Sequence, residues 1–132
     1  MTSTVFCLIA AMTIYGEAGV DTMAGKRHVA AVIYNRTDPY TRNGVPFWQA
    51  TIAACLKYRQ FSCWNQPFEI DYESKSWEDS VMAAQEIERP KYRPITRATH
   101  YHNKSGKTPG WTKKMKRLKT VDSHVFYLEE LR

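Results

Sequence analysis

The sequence has little cysteine, glycine or proline, and it lacks an apolar run long enough to cross a membrane. Its 132 residues include three cysteines, six glycines and six prolines. An odd number of cysteines without a CxxC spacing disfavours both a disulfide framework and a zinc ribbon. The longest apolar stretch, residues 5–12, is far shorter than the roughly 20 residues of a transmembrane helix. We therefore expect a single domain over residues 1–132, with buried thiols.

Positive charge is missing from the start of the chain. Residues 1–4 carry no lysine or arginine, whereas a secretory signal peptide has a basic flank before its apolar segment. Cleavage after that segment would also remove a well-patterned helix from a small domain. We expect synthesis in the cytoplasm without a signal peptide.

Negative charge is missing from residues 89–121. This segment holds eleven lysines and arginines and no acidic residue, whereas residues 1–88 hold seven basic and ten acidic side chains. A one-sided cationic segment attracts polyanions, and nucleic acid, anionic lipid and the acidic polymers of bacterial envelopes all qualify. Charge alone does not choose among them, and a solvated basic face without a dedicated partner explains the same pattern.

Apolar periodicity predicts four helices in the first two thirds of the chain. The first helix is predicted to start at one of residues 2–4, and the second at Asp21 or Thr22. The third is predicted to start at Pro46. The fourth is predicted to start at Ser76, as part of a capping box with Asp79. The second helix is predicted to end near Arg36, and Pro90 is predicted to close the fourth. Between the third and fourth helices, residues 59–65 are predicted to form a shaped loop.

Two late segments are rich in β-branched and aromatic residues. Residues 98–102 and 121–128 predict strands that pair in an antiparallel ribbon. Between them, Trp111, Met115 and Leu118 recur at i, i+4 and i+7, which predicts a short helix with basic residues on its other faces. The predicted fold class is α+β, mainly helical, with a small antiparallel sheet formed late in the chain.

Glu17 is a candidate for chemistry because of its position. It follows an apolar helix, next to Gly16, which permits close approach by another segment, and near Tyr15, which offers an aromatic wall. Dry surroundings disfavour a charged carboxylate, so Glu17 is predicted to hold a proton at neutral pH, as a general acid requires. A surface glutamate at a helix end explains the same spacing.

A second carboxylate is harder to identify. Asp21 is the nearest in sequence, and paired carboxylates are the usual equipment of glycosidases. Its position just before Thr22 and a helical run predicts an N-cap instead, held ionised by backbone N–H groups. Glu69, Asp71 and Glu73 are expected to be solvated loop charges.

Three histidines raise the question of a metal. His100 and His102 point the same way on a predicted strand, and His124 lies on the expected neighbouring strand, so a three-histidine site must be considered. No HExxH motif or carboxylate at ligand spacing accompanies them, and neutral imidazoles lining a polar cleft satisfy the same pattern. We expect no metal and no cofactor.

Five motifs occur in order along nearly the whole chain. They are YGEA at residues 15–18 with Gly25 and VAAVIYNR at residues 29–36, QFS at residues 60–62, ATHYH at residues 98–102, PGW at residues 109–111 and HVFY at residues 124–127. Together they resemble the SleB-type, spore-cortex-lytic cell wall hydrolases of spore-forming bacteria and phages. The chain departs from the family pattern at Arg97, where a small residue is usual, at Asp21, where glutamate is usual, and at residues 121–124, which lack a glycine.

The resemblance implies a lysozyme-like domain that acts on peptidoglycan, with Glu17 as catalytic acid. Family members resemble lytic transglycosylases, which cleave the bond from N-acetylmuramic acid to N-acetylglucosamine with one essential carboxyl group. Glu17 would protonate the glycosidic oxygen and then take the proton of the muramic 6-hydroxyl as a 1,6-anhydro ring closes. The residues implied to bind substrate or orient Glu17 are Gln60, Ser62, Tyr101, His102, Trp111, His124 and Tyr127. We expect Asn35 and Arg36 to fasten a helix end.

The expected partners are peptidoglycan glycan strands, contacted by a monomer. The basic residues 89–121 are expected to hold the enzyme against anionic wall or outer-membrane polymer. A short basic hydrolase of this kind suits a phage or prophage lysis enzyme that is stored in the host cytoplasm and acts at the cell wall. Two alternatives stay open: a hydrolytic muramidase with a second carboxylate, and a nucleic-acid-binding module that uses the basic segment.

Overall fold

The computed structural model describes residues 2–57 and 61–129, with side chains described from residue 6 onwards. Four helices precede three strands: α1 (Thr2–Ala18), α2 (Met23–Thr41), α3 (Phe47–Leu56), α4 (Lys75–Ile87), β1 (His100–Asn103), β2 (Met115–Val121) and β3 (His124–Glu129). Two short 3₁₀ turns lie at Ser62–Asn65 and Gly110–Lys114. The predicted α+β class, mainly helical with a late antiparallel sheet, is confirmed. Within the described ranges, no helix is both long and apolar enough to cross a membrane.

The core lies between the helices and is built largely from small side chains. α1 packs against α2, α3 and α4, and alanines of α1, α2 and α4 are almost fully buried. Small residues let helix backbones approach closely, and larger ones such as Ile14 and Ile33 fill the remaining space. Phe126 of β3 belongs to the same buried cluster, so the sheet is attached to the helices through its central strand.

The helix ends differ from prediction in two places. Thr22 caps α2, as one alternative predicted, but the helix continues past Arg36 because Pro39 removes only one backbone hydrogen bond near its end. The α4 cap is Ser74, whose hydroxyl accepts a hydrogen bond from a backbone N–H. The predicted cap at Ser76 is wrong, because this side chain donates to the carbonyl of Gly19 instead.

The third helix begins directly after Pro46, which is its N-cap and not a residue of its first turn as predicted. Cys55 is fully buried, whereas Trp48 and Leu56 are exposed. Its other buried residues are Ala50, Thr51 and Ala54. The closely packed face of α3 is therefore built mainly from small side chains, while Phe47 packs against the core at the start of the helix.

The sheet has the order β1-β3-β2 with antiparallel pairs, which confirms the predicted ribbon. The predicted helix through Trp111, Met115 and Leu118 is wrong, because the last two lie on β2. A register shift interrupts this strand between Arg117 and Lys119. A bulge of this kind adds one residue and places inward positions three apart, so the strand has the apolar spacing of a helix.

Candidate active site

An open cavity of about 650 Å³ lies between the end of α1, the Ser62–Asn65 turn and β1. Six predicted site residues line it: Glu17, Ser62, Tyr101, His102, Trp111 and His124. Two others do not belong to this set. Gln60 lies outside the described residues, and Tyr127 lies behind His102, with its hydroxyl 3.0 Å from His102 Nε2.

The Glu17 carboxylate receives hydrogen bonds at both oxygens. The backbone N–H of Cys63 donates to Oε2 over 2.6 Å, and the Ser62 hydroxyl donates to the same oxygen over 3.2 Å. The Tyr101 hydroxyl donates to Oε1. Glu17 is therefore held in one orientation at the cavity wall by donors from two separate segments of the chain.

Gly16 allows the first of these segments to approach Glu17. A Cβ atom at this position would lie 2.6 Å from the Cβ of Cys63 and 2.9 Å from its sulfur, which is closer than atoms can pack. The predicted close approach at Gly16 is thus confirmed. Because the Cys63 Cβ packs directly on Gly16, the Cys63 N–H group comes within hydrogen-bond distance of the Glu17 carboxylate.

Tyr101, rather than Tyr15, is the aromatic residue at Glu17. The Tyr15 ring packs against Trp77, and its hydroxyl accepts a hydrogen bond from the Asp71 N–H. The Tyr101 ring contacts Phe61, Phe126 and His124. Burial and the adjacent charge of Glu17 raise the pKa of Tyr101 well above its usual value, so its hydroxyl keeps its proton and acts as a donor.

Arg36 reaches the same cavity from α2. Its Nε donates to the Thr99 carbonyl over 2.7 Å, and its guanidinium lies 4.7 Å from the centre of the Phe61 ring. The Asn35 amide donates to the carbonyls of Thr96 and Ala98. Both side chains fasten α2 to the segment that enters β1, but from within the helix and not from its end, because α2 continues to Thr41. Arg36 also lines the cavity, and sequence reasoning missed this role.

The rings of His100, His102 and Trp111 also line the cavity. Trp111 is 36% exposed and contacts the rings of His100, His102 and Tyr127 at centroid distances of 5.5, 6.0 and 5.4 Å. Burial and the charge of Arg36 lower the pKa of His100, which favours a neutral imidazole. These three rings therefore present flat surfaces to the cavity.

The three histidines do not converge as a metal site would require. In the antiparallel register, His124 pairs with Asn103, while His102 pairs with Val125. Successive residues of a strand point to opposite faces, so His124 lies on the opposite face from His100 and His102. Across the described ranges, no group of three or more histidine, cysteine, aspartate or glutamate side chains is placed to hold a metal ion.

The predicted N-cap role of Asp21 is wrong. Thr22 is the cap, and its N–H and hydroxyl donate to the carboxylate of Asp122 over 2.9 and 2.6 Å. The Asp21 side chain is buried, accepts a hydrogen bond from Ser123 over 2.7 Å and lies 3.1 Å from His124 Nδ1. It does not line the cavity, and Glu17 is the only carboxylate among the described residues that do.

Comparisons with known proteins agree with this architecture. The profile of a family described as Cell Wall Hydrolase matches residues 21–127, a range that begins after Glu17. No curated protein sequence matches the chain significantly.

Two solved structures share the fold. The catalytic domain of the germination-specific lytic transglycosylase SleB from Bacillus anthracis is 20% identical, with a TM-score of 0.68 over 92% of this chain and 93% of that chain. The catalytic domain of the Bacillus cereus SleB protein is 22% identical, with a TM-score of 0.64 over 92% of this chain and 88% of that chain. The predicted lysozyme-like, SleB-type fold is confirmed.

Proposed function

The chain belongs to the cell wall hydrolase family and is an enzyme that acts on peptidoglycan, and we propose that it is a lytic transglycosylase with Glu17 as its general acid and base. It cleaves the bond from N-acetylmuramic acid to N-acetylglucosamine. The main support is the setting of Glu17, the only carboxylate among the described residues that line the cavity. Donors at both oxygens stabilise the carboxylate form, which is the form that takes a proton in the second step of such a reaction.

In the first step, Glu17 transfers its proton to the glycosidic oxygen, and the bond to the muramic C1 breaks through an oxocarbenium-like state. The carboxylate that remains is stabilised by the three donors from Ser62, Cys63 and Tyr101. The raised pKa of Tyr101 keeps its hydroxyl available as a donor throughout this step.

In the second step, the Glu17 carboxylate takes the proton of the muramic 6-hydroxyl while that oxygen bonds to C1. This closes a 1,6-anhydro ring and restores the acid, so no water enters the product. A hydrolytic muramidase would need a second carboxylate to activate water. Asp21, the nearest in sequence, is directed to His124 and Ser123 instead.

Substrate contacts are proposed for Ser62, His102 and Trp111, which line the cavity, and for Gln60, which lies outside the described residues. The exposed face of Trp111 offers a platform for a sugar ring. Tyr127 is 6% exposed and stacks on His102. We assign Tyr127 to the orientation of His102 rather than to direct sugar contact.

The product of digestion tests the mechanism. Purified sacculi are treated with the wild-type protein, and the glycan ends are identified by mass spectrometry. We expect 1,6-anhydromuramic ends, and abundant reducing muramic ends in their place would support the muramidase instead. Glu17→Gln keeps the size of the side chain but removes its acid, so release of fragments should fall about 100- to 10,000-fold. The exposed Glu73→Gln is the matched control and should retain activity.

The basic segment suits an anionic polymer of the cell envelope. All eleven lysines and arginines of residues 89–121 are exposed, and several lie on β2, at one edge of the sheet. The double variant Lys116→Gln/Lys119→Gln should weaken binding to intact sacculi at low salt and leave cleavage of short uncharged glycan fragments unchanged. Lys75→Gln, on α4, is the control. Equal binding by all three proteins would contradict this role.

A further inference from the structure

Asp21 and His124 form a buried pair at the cavity, in which His124 belongs to the lining and Asp21 does not. Their side chains are 2% and 6% exposed, and Asp21 Oδ2 lies 3.1 Å from His124 Nδ1. The Ser123 hydroxyl donates to the other carboxylate oxygen over 2.7 Å, and Lys26 Nζ donates to the backbone carbonyl of Asp21 over 2.6 Å. Asp21 is thus held at three of its oxygens, and it holds one edge of the His124 ring.

The other contacts of His124 lead toward Glu17. Its ring meets the Tyr101 ring edge to face, with centroids 4.8 Å apart and planes at 72°. Tyr101 in turn donates its hydroxyl hydrogen bond to Glu17 Oε1. A continuous set of contacts therefore runs from Asp21 through His124 and Tyr101 to the carboxyl group that we assign to catalysis.

We propose that Asp21 and His124 are positioning residues, which act on Glu17 through Tyr101. Asp21 fixes the orientation of the imidazole, and the imidazole fixes the phenol ring so that its hydroxyl meets Oε1. The inference rests on the proposed function of Glu17. It gives His124, which lines the cavity, a positioning role where a contact with substrate was expected.

The burial of Asp21 and the geometry of the Tyr101 hydrogen bond support this role. A buried carboxylate is unfavourable unless it is paired and hydrogen-bonded. Asp21 has His124 and Ser123 as its partners, at the point where the sheet meets α2. A hydrogen bond also weakens steeply when its angle changes, so a small rotation of the Tyr101 ring would remove its donor from Glu17. Phe61 and Phe126 contact the Tyr101 ring at longer centroid distances, 6.3 and 5.4 Å, so His124 has the shortest of these ring contacts.

A double-mutant cycle separates positioning from simple packing. His124→Asn keeps an amide near the Nδ1 position for Asp21 but removes the ring that contacts Tyr101. We expect kcat to fall about 5- to 10-fold with KM within about 2-fold of the wild type. In a Tyr101→Phe background, which lacks the hydroxyl, the same change should lower kcat less than about 2-fold.

Two results of this double-mutant cycle would overturn the inference. Equal losses in both backgrounds would mean that His124 does not act through the Tyr101 hydroxyl. A raised KM with unchanged kcat would restore the substrate-binding role. If His124→Asn fails to fold, Asp21→Asn is measured in the same two backgrounds, because it keeps the size and one acceptor oxygen of the side chain, and the same dependence on Tyr101 is expected.

His28→Asn is the matched control for loss of a buried imidazole. The His28 ring is also buried but packs on Phe126, at 5.3 Å, and its Nδ1 lies 2.8 Å from the Ala24 carbonyl. We expect a lower Tm with unchanged kcat. If His28→Asn gave the same Tyr101-dependent loss as His124→Asn, general loosening of the core would explain the effect and the inference would fail.

Glu17→Gln, measured in parallel, distinguishes a failure of the proposed function from a failure of the positioning role. An active Glu17→Gln protein would refute the proposed function itself. An inactive Glu17→Gln protein together with an additive cycle would refute only the positioning role of Asp21 and His124.

Discussion

The two oxygens of the Glu17 carboxyl group are held by two regions of the molecule in different ways. At Oε2, the 3₁₀ turn supplies a backbone N–H and the short Ser62 side chain, and Gly16 sets the distance. At Oε1, the sheet supplies only the tip of a long side chain, supported by neighbouring rings. The turn side therefore depends on backbone position, whereas the sheet side depends on the packing of side chains.

Gly16→Ala disturbs the contact between the 3₁₀ turn and Glu17 Oε2, and it should have the larger effect. The added methyl carbon would lie 2.6 Å from the Cβ of Cys63, so the turn must move away. This movement takes the Cys63 N–H out of hydrogen-bond distance of Glu17. A misplacement of about 1 Å in a catalytic geometry can lower the rate about 100-fold, and overpacking destabilises by about 1 to 3 kcal/mol. We expect both losses, measured as kcat and as the free energy of unfolding.

Gly106→Ala is the control for that change. A Cβ atom at Gly106 would meet nothing closer than a backbone oxygen at 3.7 Å, which is an ordinary contact. It should leave kcat and stability close to the wild-type values. If Gly16→Ala behaved in the same way, the close approach of Cys63 would not be what holds Oε2.

Tyr101→Phe removes the hydrogen bond between the sheet and Glu17 Oε1, and it should have a smaller effect. The ring and its packing remain, but the donor to Oε1 is lost. Removing a donor that contacts the reacting group directly lowers kcat about 100- to 1000-fold. Tyr101 acts through Glu17 while the turn still holds Oε2, so we expect a loss of about 30-fold in kcat with little change in Tm. A loss as large as that of Glu17→Gln would show that Tyr101 itself transfers a proton.

The comparison also shows which parts of the site could be predicted from sequence. Glu17, Tyr101 and the close approach at Gly16 could be found because they lie in short motifs of recognisable chemistry. Asp21 was misjudged because an aspartate before a helix has the local pattern of a cap, and its partner His124 lies 103 residues later. Local patterns report local hydrogen bonds, and they do not show a contact that forms only when the sheet docks on the helices.

The sheet was predicted less well than the helices for a related reason. The strand pair that contains Tyr101 and Tyr127 is rich in aromatic and β-branched residues and pairs in a continuous register, and its antiparallel pairing was recovered. On β2, the bulge near Leu118 changes the spacing of the apolar residues, so sequence periodicity alone predicts a helix. The exposure of its basic side chains is compatible with either structure, and charge could not correct the assignment.

The smallest predicted effect concerns thiols on the helical side and appears only at high pH. Burial raises the pKa of Cys55 to about 12 from a usual value near 9. A raised pKa in the folded state means that the neutral thiol contributes stability that is complete below pH 9 and is lost as the pH rises toward 12.

Cys55→Ala leaves a small cavity and should be less stable than the wild type at pH 7. Its Tm should fall less steeply between pH 9 and 11, since it has no buried thiol to ionise. Parallel Tm curves for the two proteins would show that Cys55 does not contribute to alkaline unfolding, and kcat at pH 7 should be the same for both because Cys55 lies outside the cavity.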